Sequence, residues 1–540
     1  MLSAICLGST QLLSAQPEKK PNVLFVIFDD LRPELNCYGY DHMITPNFDA
    51  VAKDGTLFTR SYCQQAVSAA SRASFLTGLR PDVTGVDYPY SVYFVEEVLP
   101  KFGTMQRKVF ESNDYYVRTL GKVHHGYKEN FTEPHYTPKE VGKYALPENI
   151  SKSKQEGPFY EIADVPDEAY EDGCIAREAI ETIKRVKNQT KPFFLTVGFQ
   201  KPHLPFSAPK KYFDLYDRNS LPLSPNPLPT IGETEYSRRN VARDYDWMSE
   251  GHMTNYVIEK EQAKIIRHGY FACVSYVDAQ MGKIIDELKK NNLYDNTYII
   301  IIGDHGWHLG DNAHWAKSTN FERATFSPLI VKSVGKGSQK NVKCDKFVEY
   351  VDIFPTILEA TQIKIPDYAE GLSFLPLLKN HNQPWKSAAF SQFHRGKDVE
   401  GYAIRTTNYR YIRWIVRDTK ELKAEELYDQ INDPFEQVNI ASSSPDACSK
   451  MNNLLQKGWK NALPKGVVSK ANNPIAPPFV GWGPEAAKES AKKFNEPNTN
   501  VQVPQKLTPQ EKIDKQNKKK AKNVSMLPEV KQLMRESWYN

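Results

Sequence analysis

The sequence predicts an α/β protein. A large mixed, mainly parallel sheet flanked by helices is followed by a smaller C-terminal antiparallel-sheet α+β subdomain. Three observations carry this reading. Short unbroken apolar runs, Asn22–Phe28, Phe193–Phe199 and Tyr298–Ile302, read as strands buried on both faces. Helical stretches such as Asp167–Lys187 and Glu259–Asn291 lie between them, so strand and helix alternate. After Pro355 the pattern changes to short alternating strands, Ala388–Phe393, Tyr402–Arg405 and Tyr409–Ile415.

Taken in order, the chain opens on an uncharged apolar stretch that ends Leu13-Ser14-Ala15. It has the apolar middle and small-residue end of a secretory signal peptide without the positive start. Residues 1–15 are therefore expected to be a truncated signal peptide, and the protein secreted or periplasmic. The first buried strand ends in Asp29-Asp30. Adjacent carboxylates are costly to bury without a cation. The carboxyl end of a central strand is also where open α/β sheets place ligands. Thr45-Pro46-Asn47-Phe48-Asp49 starts a helix.

Ser68 then opens a short helix that Thr77-Gly78 stops, because glycine tolerates the left-handed cap. At a helix N-terminus free N–H groups favour negative charge. Arg72, one turn on, can share the face of Ser68. Together they suit either an anion-handling nucleophile site or a Ser-rich N-cap beside a surface Arg. Three further strands repeat the pattern of strand followed by chemistry. Tyr115–Leu120 leads into Gly121-Lys122-Val123-His124-His125. Phe193–Phe199 leads into Gln200-Lys201-Pro202-His203, and Tyr298–Ile302 into Gly303-Asp304-His305. Asp, Lys and His gathered at strand ends place those ends around one pocket.

Beyond the short strands come Glu426-Leu427-Tyr428-Asp429 and a helix near Pro445–Leu463. The expected divisions are a main domain over 20–378, a subdomain over 379–470 and a Lys/Pro-rich extension over 471–540. In that extension Lys506–Lys522 is dense in lysine and Met526–Trp538 is amphipathic. A chain of 540 residues, 40% hydrophobic and 25% charged, describes an ordinary globular protein. Its net charge of +5 does not argue for nucleic acid but suits an anionic substrate. No run approaches the length of a transmembrane helix. The seven cysteines are scattered without C-x-x-C pairing, so neither a disulfide scaffold nor a zinc site is expected.

Ser68–Gly78 resembles the signature of the sulfatase family: Cys or Ser, any residue, Pro or Ala, any residue, Arg, then a Leu-Thr-Gly ending. Asp29-Asp30, Gly121–His125, Lys201–His203, and Asp304-His305 followed by Lys317 match that family's motifs in order. The runs Asp304–Gly310 and His314–Lys317 look closest to the iduronate-2-sulfatase branch, as do Lys201–Phe206 and Gly401–Trp414. The resemblance extends from about Pro21 to about Ala441.

The resemblance implies an alkaline-phosphatase-like sulfatase fold. It also implies conversion of Ser68 to formylglycine by a maturase, in the serine-type bacterial manner. A sulfate ester has a poor alkoxide leaving group and a shielded sulfur. It needs a strong nucleophile, cations at the non-bridging oxygens and an acid for the leaving oxygen. Asp29, Asp30 and Asp304 supply hard oxygen ligands suited to Ca²⁺ or Mg²⁺. His305 matches the family's fourth ligand, and the modified Ser68 would add another. Arg72 would hold that group in place, and Lys122 and Lys317 would meet the sulfate oxygens. His203 would act as general acid, and His124 or His125 would help release sulfate. Lys201, His314 and Arg405 are candidates for a second anion, the carboxylate of a uronate carrying a 2-O-sulfate. The substrate implied is a sulfated saccharide from a heparin-type or chondroitin-type glycosaminoglycan. Two readings compete: a phosphate or phosphonate ester hydrolase on a related fold, and a non-catalytic glycan-binding relative.

Overall fold

Among the described residues, seven strands form the central sheet. They are β1 (Asn22–Asp29), β2 (Thr56–Phe58), β3 (Tyr116–Gly121), β4 (Phe193–Pro202), β5 (Thr297–Gly303), β6 (Leu329–Lys332) and β7 (Val342–Cys344). The structure is a computed structural model. It describes residues 20–86, 105–125, 135–150, 152, 157–238, 242–254, 257–396, 398–473 and 475. The expected signal peptide and the Lys-rich extension beyond residue 475 lie outside the described residues.

The strand order is β7-β2-β6-β5-β1-β4-β3. Strands β5, β1, β4 and β3 run parallel, while β6 runs antiparallel to both of its neighbours. The sheet is thus mixed and mainly parallel, as the sequence implies. Alternation along β1 divides its side chains between two cores. Leu24, Val26 and Phe28 pack among residues of α1 (Pro46–Lys53), α3 (Glu171–Val186) and α4 (Lys260–Lys290). Val23, Phe25 and Ile27 pack on the other face with α2 (Ser68–Thr77) and α5 (Ile353–Ala360). A strand buried on both faces has no polar side to alternate, which is why it reads as an unbroken apolar run.

Strand β4 departs from the sequence reading, because it runs on to Pro202 instead of ending at Phe199. Its pairing with β1 jumps at the same point. Phe28 faces Phe199, but Asp29 faces Pro202. Gln200 and Lys201 are extra residues on one strand, a bulge that re-aims the chain at His203. The antiparallel β6 was not anticipated, since four residues are too few to show a period.

A second sheet holds β8 (Ala388–Arg395), β9 (Val399–Thr406), β10 (Tyr409–Val416) and β11 (Leu422–Asp429) in an antiparallel meander. Helix α6 (Pro445–Lys457) covers it through Cys448 and Met451 against Ile404, Tyr411 and Leu427. β11 extends four residues earlier than the Glu426–Asp429 segment picked out in the sequence. Buried ion pairs hold the start of β8 against residues that precede it in the chain. Lys386 Nζ lies 2.9 Å from Glu349 and 2.7 Å from Asp352, and Arg80 pairs with Glu349 at 2.9 Å.

Candidate active site

The carboxyl ends of four adjacent parallel strands meet here. β5 delivers Asp304 and His305, β1 delivers Asp29 and Asp30, β4 delivers His203, and β3 delivers Lys122 to His125. Helix α2 points its N-terminus at the same place, with Ser68 as its first residue and Gly78 closing it at φ 73°. All ten residues of that helix are buried.

Ser68 Oγ lies 2.8 Å from Asp29 Oδ1, 3.2 Å from His305 Nε2 and 3.4 Å from Lys317 Nζ. Arg72, one turn along, is 1% exposed. Its Nε donates to Asp304 at 3.0 Å, one Nη reaches Asp29 at 3.4 Å, and the other donates to the carbonyls of Lys122 and Val123. One guanidinium therefore links three of the four strand ends, a geometry that suits its planar fork. Lys122 is ion-paired with Asp29 and Lys317 with Asp30. Lys317 also sits 5.5 Å from the centre of the buried Trp307 ring. Ala316 and Ser318 on either side of it have φ of 67° and 78°. Such backbone costs about 1–3 kcal/mol per residue and persists only where its surroundings enforce it.

Asp29, Asp30, Asp304 and His305 are fully buried, and their ligand atoms all lie within 4.8 Å of one another. His305 Nδ1 is 2.9 Å from the Gly306 carbonyl, which only accepts, so Nδ1 carries the hydrogen. Nε2 then turns its lone pair toward Asp30 and Asp304, at 3.4 Å from each. A lone pair facing carboxylates is repulsive unless a cation stands between them. Asp30 Oδ2 is buried with no hydrogen-bond partner. Burial pushes the Asp30 carboxyl up to about 7, with Lys317 opposing and Asp29 and Asp304 adding to the rise. Asp304 is pushed up to about 6, again first by burial and then by Asp29. Burial acts on Asp29 in the same sense, but Lys122, His203, Lys317 and Arg72 outweigh it and hold that carboxyl well below its usual range. Three crowded carboxylates, one imidazole lone pair and an unmatched oxygen fit one hard divalent cation.

Three more histidines stand around this core. His203 Nδ1 lies 2.6 Å from the Leu204 carbonyl, which only accepts, so Nδ1 carries a hydrogen and Nε2 points elsewhere. That atom is 3.9 Å from Asp29 and 3.8 Å from Asp30. Burial pushes His124 and His125 down to about 3. The charges acting on His125 are Lys122, Asp29, Arg72 and Lys317 of the site, whereas those acting first on His124 are His135 and Arg107. The His124 ring centre is 6.5 Å from that of His135. Arg72 of the site acts on both rings.

The expected donors for a second anion are placed differently. Lys201 Nζ donates to the backbone carbonyls of His203 and Pro205. Arg405 pairs with Glu322 at 3.0 Å and donates to the Thr406 carbonyl. Both cations therefore already have protein acceptors in this structure. His314 packs against His308 and Phe321, with Nε2 3.9 Å from Glu233. Three other residues shape the site without having been singled out. Ser71 donates to the Asp304 carbonyl, and the Tyr270 hydroxyl donates to the Asp30 carbonyl at 2.8 Å. Asp172 accepts from the bulge of β4. Ser71 lies inside the Ser68 motif and could have been noticed. Tyr270 and Asp172 are ordinary helix residues with no local signal.

Residues 21–363 match the family model described as Sulfatase, and residues 303–461 that described as N-sulphoglucosamine sulphohydrolase, C-terminal. Iduronate 2-sulfatase of Mus musculus is 32% identical over 510 residues, covering 78% of this chain and 91% of that protein. A structure solved in complex with its substrate D-glucosamine-2-N,6-O-disulfate aligns with a TM-score of 0.67 at 21% identity, covering 84% of this chain and 99% of that one. The phosphonate monoester hydrolase of Agrobacterium radiobacter aligns at 0.65 and 23% identity, covering 81% and 95%. These two structures speak for the fold alone.

Proposed function

The chain belongs to the sulfatase family, and on that premise we propose that it removes the 2-O-sulfate of a uronic acid in glycosaminoglycan-derived saccharides. The observation that carries the reading is the convergence of Ser68, Arg72, Lys122 and Lys317 with Asp29, Asp30, Asp304 and His305 on one buried point. Asp29, Asp30, Asp304 and His305 would hold Ca²⁺ or Mg²⁺, which when bound draws charge from the sulfate oxygens. Conversion of Ser68 to formylglycine would supply a stronger nucleophile at the same place.

The remaining work falls to the chain's own side chains. Arg72 fixes position 68 against Asp29 and Asp304. Lys122 and Lys317 offer charge to the non-bridging oxygens on either side. His203 gives the proton on Nε2 to the leaving sugar oxygen as the S–O bond breaks. His125 accepts a proton at the nucleophile so that sulfate can leave. His314 is the donor kept for the uronate carboxylate.

The choice of a uronate rests on the 32% identity to an iduronate 2-sulfatase. A phosphonate ester is the second reading, because a phosphonate monoester hydrolase shares the fold. The two lysines and the Ser-x-Ala-x-Arg run favour sulfate. No helix among the described residues is long and apolar enough to cross a membrane. The apolar stretch 1–15 supports a secreted or periplasmic enzyme, read here with a catalytic domain over 20–378 and a subdomain over 379–470. The test is kcat/KM on a 2-O-sulfated uronate disaccharide, a 6-O-sulfated hexosamine and a phosphonate monoester. The uronate is expected to be preferred. A preference for the hexosamine would overturn the uronate assignment alone, and a preference for the phosphonate would overturn the sulfatase activity.

A further inference from the structure

We propose that Asp172 and Lys201 are positioning residues that aim His203 at the leaving oxygen. The proposal rests on the reading of His203 as the general acid. It starts from the bulge in β4, where pairing with β1 skips Gln200 and Lys201. A bulge frees backbone N–H groups that the ladder would otherwise use. Asp172, in the first turn of α3 and 1% exposed, takes both of them. Its Oδ1 accepts from Gln200 N–H at 2.7 Å and its Oδ2 from Lys201 N–H at 2.9 Å. The Lys201 side chain then folds back into the turn at 203–205. Its ammonium, on a residue 6% exposed, donates to the carbonyl of His203 at 3.2 Å and to that of Pro205. The His203 N–H closes the loop on the Gln200 carbonyl at 3.0 Å.

Residues 200–205 are thus wrapped around one ammonium and hung from one carboxylate. The turn's own bonds fix the His203 ring, with Nδ1 on the Leu204 carbonyl and Nε2 over Asp29 and Asp30. A buried ammonium without its acceptors is costly, so Lys201 holds those carbonyls firmly. Neither Lys201 nor Asp172 needs to touch substrate. Their effect is to keep one nitrogen within reach of one oxygen, and a misplacement of about 1 Å can cost on the order of 100-fold in rate.

A general acid matters in proportion to how badly the leaving group needs a proton. An alkoxide of a sugar needs it and a nitrophenolate hardly does. The test therefore compares kcat on a 2-O-sulfated uronate disaccharide with kcat on 4-nitrophenyl sulfate. The proteins are full-length enzyme, His203→Ala, Lys201→Met and Asp172→Asn, each co-expressed with a formylglycine-forming maturase. All three variants are expected to lose at least about tenfold more on the sugar ester than on the aryl ester. Asp172→Asn keeps one acceptor and a similar shape, so it serves if Lys201→Met folds poorly, which thermal melting would report. Equal losses on both esters in Lys201→Met and Asp172→Asn, beside a split in His203→Ala, would overturn the positioning role and leave the general acid standing. Equal losses in His203→Ala would remove the general acid and the positioning role with it.

Discussion

At Asp30, backbone and side chain are both held away from their relaxed states. Its φ is 66°, its N–H is fixed on Asp304 Oδ1 at 3.0 Å, and its carbonyl accepts from Tyr270. Its carboxyl is fully buried among two other carboxylates. That arrangement is costly for a protein alone and sensible for a cation ligand. Asp30→Ala removes one ligand and one charge, and should weaken metal affinity by at least about 10–100-fold. Elemental analysis of the purified variant checks this, and wild-type metal content would contradict the assignment. Ser68, Asp29, Lys122 and Lys317 were legible because the chemistry forces those residue types into fixed local motifs. The acceptors that hold Lys201 and Arg405 were not. A lysine that holds backbone carbonyls and one that meets an anion look alike in a sequence.

Among the elements, the approach of β3 to β4 sets where Lys122 stands. Gly121 has φ of 66°, and a Cβ there would lie 2.1 Å from the Gly198 carbonyl oxygen. A Cβ on Gly198 would lie 2.0 Å from the Lys122 carbonyl oxygen. That same Lys122 carbonyl receives Arg72. Gly198→Ala must therefore push the Lys122 backbone outward and disturb Arg72 with it. Overpacking of this kind costs about 1–3 kcal/mol. The expected outcome is a fall of several degrees in Tm, at about 2–4 °C per kcal/mol for a large domain, together with a raised KM for sulfate ester. Calorimetry and steady-state kinetics would show it, and unchanged values in both would contradict the account. The long strands β1, β4 and β5 were legible as apolar runs, because burial on both faces leaves no other pattern. Strands β2, β6 and β7 are only three or four residues long, so pairing with neighbours makes them, not their own composition. The bulge in β4 likewise appears only when β1 is laid beside it.

Over the whole molecule, the C-terminal sheet is part of the site's wall. Phe393 of β8 packs on Val67 and Ala70, the residues around Ser68. Lys386, just before β8, pairs with Glu349 and Asp352, Arg80 pairs with Glu349, and Arg410 of β10 pairs with Glu322 and Glu436. Breaking a buried pair of this kind costs about 3–5 kcal/mol, because the partner is left charged and unmatched. None of these ties could be read in advance, since each joins residues far apart in the chain. What could be read was that strand ends rich in Asp, Lys and His share one side of a parallel sheet. The proposed function requires this side to be built around Ser68. The most direct measurement is the inorganic sulfate released from a 2-O-sulfated uronate disaccharide by Ser68→Ala and by the unaltered protein, both co-expressed with a formylglycine-forming maturase. The account requires sulfate release by the unaltered protein and none above background by the variant. Wild-type release by Ser68→Ala would contradict it.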